Sequence, residues 1–196
     1  MSSIKKLVKK ILFFILIFHT SALSQDLGKA YFAGGCFWCM EESFEKFEGV
    51  IEVISGYSGG TTKNPTYEEV TYSNTGHFET VEIIYDKNST NYKKLLNHFW
   101  INIDPFDSIG QFCDKGYSYR SVAFYQTIDQ NDDIKRAIVK LENKFNKKIV
   151  TYVRKFDKFY KAESYHQNYY KKKFLNYLRY KKACGRENKL NTIWNK

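Results

Sequence analysis

Cys36 is the side chain of this sequence best placed to do chemistry. It follows Gly34-Gly35, where a short stretch from Lys29 to Ala33 gives way to a helical pattern, so its sulfur falls in the first turn of a helix. Unpaired backbone N–H groups and the positive end of the helix dipole stabilise a thiolate there, and the thiolate is the nucleophilic form. The glycines let the backbone turn tightly and leave the sulfur approachable. A small buried core cysteine is the bland alternative, and it would need neither feature. Cys39 completes a C-x-x-C spacing, Cys113 stands alone mid-chain, and Cys184 lies near the end.

Several elements must position that sulfur. Lys29 to Ala33 reads as a strand, and Phe37, Met40, Phe44 and Phe47 recur at helical spacing after it. Val50 to Tyr57 and Phe78 to Tyr85 read as strands, separated by a loop through Gly59, Gly60, Asn64 and Pro65. Leu95, Leu96, Phe99, Trp100 and Ile103 mark a helix capped by Thr90 or Asn91. A long loop from Asp104 to Tyr119 precedes a strand from Ser121 to Tyr125. Ile134 to Phe145 is an amphipathic helix, Ile149 to Lys155 a strand, and Ser164 to about Tyr180 a further helix. The tail after Gly185 reads as irregular. Alternating helices and few strands imply one α/β (α+β) domain, a two-layer sandwich with helices packed on a small mixed sheet.

The chain begins with Lys5, Lys6, Lys9 and Lys10, an unbroken apolar run from Ile11 to Phe18, and small residues Ala22 and Ser24. This is the layout of a signal peptide over residues 1–24, and the apolar run is too short to span a bilayer. The sequence therefore predicts an exported protein, periplasmic or secreted, with a single domain over 25–196 and no stable membrane insertion after cleavage. Losing four lysines lowers the formal charge from +10 to +6. The remaining excess, such as Lys171-Lys172-Lys173, reads as solvated helix faces rather than a nucleic-acid surface. Export makes disulfides the default for four cysteines, but one close pair and two isolated residues favour redox chemistry over stapling.

The residues around Cys36 resemble a known family. Gly35-Cys36-Phe37-Trp38 is similar to the signature of the A-type peptide methionine sulfoxide reductases. Asn64-Pro65-Thr66-Tyr67-Glu68-Glu69-Val70, Thr75-Gly76-His77-Phe78-Glu79, Gly116-Tyr117-Ser118-Tyr119-Arg120-Ser121 and Tyr165-His166-Gln167-Asn168-Tyr169-Tyr170 resemble its later blocks, in the family's order. Cys39 stands where many members carry glycine, although a CFWC version occurs. Cys113 beside Asp114 fits a subgroup pattern, and Lys171-Lys172-Lys173-Phe174 replaces a common Asn-Pro turn.

The resemblance implies Cys36 as nucleophile, Phe37 and Trp38 as the wall for the substrate methyl group, and Glu79 as the acid that protonates the sulfoxide oxygen. It implies Tyr67 and Tyr119 as donors to that oxygen and Asp114 as an organiser of the network. Chemistry agrees with each role: a carboxyl beside aromatics has a raised pKa and keeps a proton to give, and aimed phenols stabilise developing charge. Without the resemblance, Glu79 would read as a solvent-facing strand residue and the tyrosines as packing. His77, His166, Tyr165 and Tyr169 read as structural. The implied substrate is oxidised methionine, free or in proteins, with no cofactor, no metal and an external thioredoxin-like dithiol, and the protein is expected as a monomer. Oxidised Cys36 then needs a resolving thiol: Cys184 in a mobile tail is favoured over Cys39, with Cys113 third.

Two other readings use fewer residues. A thioredoxin-like oxidoreductase also carries C-x-x-C, but it should place a proline opposite from a later strand, and Pro65 and Pro105 both lie in loop-like sequence. A basic module binding polyanions explains the charge and leaves the Gly-Gly-Cys junction unexplained.

Overall fold

In the computed structural model, residues 26–195 are described. The proposed signal segment lies outside them.

Four strands and three helices follow the sequence pattern closely. They are β1 (Leu27–Ala33), α1 (Phe37–Glu45), β2 (Val50–Ser58), β3 (Phe78–Asp86), α3 (Tyr92–Trp100, capped by the Asn91 side chain), β6 (Val122–Tyr125) and α4 (Ile128–Phe145). The last begins six residues earlier than its apolar repeat, because Thr127 caps it by accepting from the Gln130 amide. β7 (Tyr152–Lys155) is shorter than expected. It joins β8 (Phe159–Lys161) in a six-stranded mixed sheet of order β7-β6-β1-β3-β2-β8, parallel only between β6 and β7.

Both faces of the central strands are covered. On one face Phe32 of β1 stacks on Phe99 of α3 at 4.8 Å and on Phe44 of α1 at 5.7 Å, joined by Val81, Ile83 and Tyr57. On the other, Tyr31 lies 3.7 Å from Phe156, with Phe78 and Phe124 nearby. A central strand buried on both sides loses the clean polar-out alternation of an edge strand.

Several expectations are corrected. The stretch read as loop before β3 contains a short helix, α2 (Tyr67–Tyr72), nucleated by a capping box in which Thr66 and Glu69 satisfy each other's amides. The loop from Asp104 to Tyr119 holds a small hairpin, β4 (Gly110–Gln111) with β5 (Asp114–Lys115), and a 3₁₀ turn at Tyr117–Tyr119. The single helix expected from Ser164 is broken. Asn168 adopts a left-handed conformation, and the chain forms α5 (Tyr169–Lys172) and then α6 (Phe174–Cys184). The tail is not irregular: Arg186–Trp194 form α7 after Gly185, a left-handed C-cap with φ +64°. Trp194 fixes its end by donating to the Ile103 carbonyl at 3.0 Å and packing edge-on against Phe145.

The cysteines also divide differently. Cys113, next to β5, and Cys184, at the end of α6, form a disulfide with Cα atoms 4.9 Å apart. The spacing argument against stapling thus holds only for Cys36 and Cys39, which are free and buried. The bridge closes a loop of 71 residues' separation. Replacing both cysteines by serine is expected to lower stability by about 2–4 kcal/mol. Urea unfolding of the double variant measures this; an unchanged midpoint would mean that packing of α7 alone holds the tail.

Candidate active site

The turn into α1 admits little besides glycine. Gly35 sits at φ +79°, and a β-carbon there would meet the Gln111 side chain at 2.5 Å. One on Gly34 would stand 2.6 Å from the Met40 sulfur. This turn delivers Cys36 to the N-cap of α1, where its carbonyl accepts from the Cys39 amide at 3.1 Å.

The first free amide of the helix does not serve the thiol. Phe37 N–H donates to Glu79 Oε2 at 2.9 Å, so a carboxyl from β3 occupies the helix start. Glu79 lies opposite Tyr57 in the β2–β3 ladder, in phase with Val81 and Ile83, on the face that packs against the helices. It is 2 % exposed. Burial pushes its carboxyl up to about 8 against the Phe37 hydrogen bond, with Asp114 and Cys39 adding to the rise. Near neutral pH it therefore carries a proton.

Around the sulfur, Cys36, Phe37, Trp38, Tyr67, Glu79, Asp114, Tyr119 and Tyr180 line one cleft of about 80 Å³. Phe37 is fully buried, its ring near Tyr57, Tyr67 and His166. Trp38 stacks on Tyr169 at 3.9 Å and donates from Nε1 to His166 Nδ1 at 3.2 Å. Burial pushes His166 down to about 4, so the ring is neutral and can accept that bond. Tyr67 and Tyr119 hydrogen-bond each other, and burial, with Glu79 close by, raises both phenols. Tyr67 is fixed by Glu163, which accepts from its amide and from the Tyr57 hydroxyl, both at 2.8 Å.

The thiol departs from the sequence expectation. Burial pushes Cys36 well above its ordinary value, and Cys39, Glu79 and Asp114 push the same way. Cys39, one turn along, is the more acidic partner. Its hydrogen bond from Cys36 holds it at about 7 against burial, helped by Arg186, Tyr177 and Lys181. The hydrogen bond between the two sulfurs raises Cys36 and lowers Cys39, so within the pair Cys39 is the readier to ionise.

Every residue assigned to the catalytic cluster from sequence thus meets in one cleft. The three resolving candidates do not. Cys39 adjoins Cys36, whereas Cys184, favoured from sequence, is bonded to Cys113 and sits at the end of a packed helix, not in a mobile tail. Tyr180 was not foreseen. It reaches the cleft from α6 and donates to Asp114 Oδ2 at 2.5 Å. No local signal separates it from the other tyrosines. Glu163 was also missed, because its two partners lie 96 and 106 residues away. His77 and His166 are structural hydrogen-bonders as expected: His77 accepts from the Gly60 amide through Nδ1 at 3.1 Å.

The family model for peptide methionine sulfoxide reductase matches residues 28–196. The chain belongs to that family. Peptide methionine sulfoxide reductase MsrA of Listeria monocytogenes is 44% identical over 172 residues, 87% of this chain and 97% of its own. The MsrA of Bacillus velezensis is 46% identical over 174 residues, 88% of this chain and 98% of its own. Among solved structures, Mxr1 from Saccharomyces cerevisiae in reduced form superposes with a TM-score of 0.70 at 27% identity, covering 74% of this chain and 85% of that one. The chain is accordingly an oxidoreductase that reduces methionine sulfoxide with thiols.

Glu79 also shapes stability. Its folded carboxyl titrates near 8 against an ordinary 4.5, so between those values the native state binds the extra proton. Its contribution is full below about pH 4.5 and is lost as pH rises through 8. Glu79→Gln keeps an acceptor for Phe37 N–H and removes that loss. The variant should gain on the parent by an increasing margin from pH 5 to 8 and a constant one above. Parallel urea curves with no pH-dependent gap would mean that Glu79 is ionised in the fold.

Proposed function

We propose that Cys36 is the nucleophile and Glu79 the proton donor in reduction of the S epimer of methionine sulfoxide. The observation that carries this reading is a protonated carboxyl and a thiol held in one small aromatic cleft by the same helix start. Phe37 and Trp38 form the apolar wall for the methyl group, and Tyr67 and Tyr119 direct hydrogen bonds to the oxygen. Asp114, tied by Tyr180, orients this polar side. A methyl wall on one side and an oxygen cluster on the other select one handedness at sulfur, and each epimer has its own class of reductase.

The bond-making step uses groups already in contact. Cys36 sulfur attacks the sulfoxide sulfur and gives its own proton to Cys39 through their hydrogen bond, while Glu79 protonates the oxygen; the hydroxyl then passes to the Cys36 sulfur as the substrate S–O bond and the transient S–S bond break. Methionine leaves reduced by two electrons, and Cys36 is left as a sulfenic acid. Cys39 then resolves it, forming a Cys36–Cys39 disulfide and releasing water. A thioredoxin-like dithiol opens that disulfide.

We also propose that residues 1–24 are a signal peptide and that the mature enzyme works outside the cytoplasm. The lysine-rich start with its apolar run supports this, and the Cys113–Cys184 bridge suits an oxidising compartment.

Cys36→Ser should abolish turnover, because a hydroxyl is neither acidic nor soft enough to attack sulfur. Glu79→Gln should slow the single-turnover rate at pH 7 by about 10²- to 10⁴-fold while iodoacetamide still alkylates Cys36. Only S epimer should disappear from a mixed pool, followed by chiral separation of the residual sulfoxide. Equal consumption of both epimers, or a full rate in Glu79→Gln, would remove the proposed pocket or its acid.

A further inference from the structure

Arg186 is a buried cation without a carboxylate partner. It is 5 % exposed. Its guanidinium donates to neutral groups: the Gly34 carbonyl at 3.2 Å, the Asn102 carbonyl at 2.6 Å and the Met40 sulfur at 3.1 Å, with the Phe112 ring 4.4 Å away. Among the described residues it makes no ion pair. A buried charge left uncompensated is costly, so such a cation implies an anion that forms close by. One such group is Cys39, which with Arg186 lines a cavity of about 370 Å³.

We propose that Arg186 is a positioning residue for resolution, its buried guanidinium holding Cys39 as the thiolate that closes onto oxidised Cys36. The proposal rests on Cys39 being the resolving thiol. In the step it serves, the Cys39 sulfur displaces hydroxide from Cys36 sulfenic acid, one S–S bond replaces one S–O bond, and the hydroxide takes the proton that Cys39 had received from Cys36 and leaves as water. Each sulfur ends as half of the disulfide, Cys36 reduced by one electron and Cys39 oxidised by one.

The other charged groups around Cys39 do not replace Arg186. Lys181 of α6 faces it, but its ammonium is 2.7 Å from Glu42, which also binds Lys46 and accepts from the Tyr177 hydroxyl. His98 of α3 and Glu187 of α7 line the same cavity. Cys36 hydrogen-bonds Cys39, the Tyr177 hydroxyl lies beside it from α6, and Glu79, Asp114 and Tyr180 lie beyond Cys36 in the substrate cleft. The acids in this set oppose a thiolate, and of the set's cations Arg186 alone, among the described residues, makes no direct ion pair with one of them. Asp114 also feels Arg186, so the guanidinium steadies both sides of α1.

The chain is arranged to keep this residue in place. Arg186 follows the bridged Cys184 by two residues, after the left-handed turn at Gly185. The disulfide therefore pins the corner from which the guanidinium enters the core.

The test uses full-length mature enzyme carrying Cys36→Ser, in which Cys39 is the one free thiol. Thiolate absorbance at 240 nm and the rate of iodoacetamide alkylation are followed against pH. Adding Arg186→Met should move the midpoint upward by about 1 to 3 pH units, the effect of losing a nearby opposite charge. Arg186→Lys should restore most of it, and Lys181→Met should move it less. In enzyme with Cys36 intact, Arg186→Met should still release one methionine per molecule with excess S-sulfoxide and no reductant. Disulfide closure at pH 7 should slow by roughly 2- to 20-fold, the lost thiolate fraction being partly offset because a more basic thiolate is also the stronger nucleophile. Retention of the Cys113–Cys184 bridge by mass spectrometry controls for misfolding. A parental midpoint in Arg186→Met overturns the proposal. A shifted midpoint with Cys36 found bonded to Cys184 overturns instead the assignment of Cys39 as resolver.

Discussion

The hydrogen bond from the Phe37 amide to the Glu79 carboxyl, 2.9 Å long, joins the start of α1 to the start of β3. Helix starts carry orphan amides that need acceptors, and a buried carboxyl needs donors. Each meets the other's requirement here, and both demands fall beside Cys36. The bond uses the helix end that would otherwise stabilise a Cys36 thiolate. Burial nevertheless outweighs it, leaving Glu79 protonated near neutral pH. The contact thus fixes the acid and the helix start against each other, and burial keeps both Glu79 and Cys36 protonated.

The aromatic wall and the phenols follow from that placement. Phe37 is held among Tyr57, Tyr67 and His166, and Trp38 is clamped between Tyr169 and the His166 nitrogen. Glu163 reaches from the far end of the chain to fix Tyr67 and Tyr57 together. These are costly side chains to order, and the cleft keeps them ordered before substrate arrives. Preorganised donors need no rearrangement as charge develops on the oxygen.

The C-terminal segment closes the other side. α6 brings Tyr180 to Asp114 and Tyr177 to Cys39, and α7 brings Arg186 beneath the Gly34 carbonyl. The Cys113–Cys184 bridge ties this segment to the hairpin that carries Asp114. The two cysteine pairs therefore divide the labour: one is buried and free at the helix start, and the other is bonded and holds the wall.

Much of this was legible along the chain. Gly34-Gly35-Cys36 announces a tight turn into a helix because only glycine tolerates φ +79° with a neighbour at 2.5 Å. The aromatic repeat in α1, the Asn91 cap and the strand around Phe78 are local patterns, fixed by periodicity and capping chemistry. Thr66-x-x-Glu69 was equally local, yet its helix was overlooked between loop residues. The phase of Glu79 with Val81 and Ile83 was also available, though it decides burial only once both sheet faces are known to be covered. Other features had no local form at all. Which cysteine meets which, the charge shared between Cys36 and Cys39, and the roles of Tyr180, Glu163 and Arg186 depend on groups tens of residues apart. Their pKa values and partners come from desolvation and contact, which exist only when the sheet, α1 and the tail are packed together.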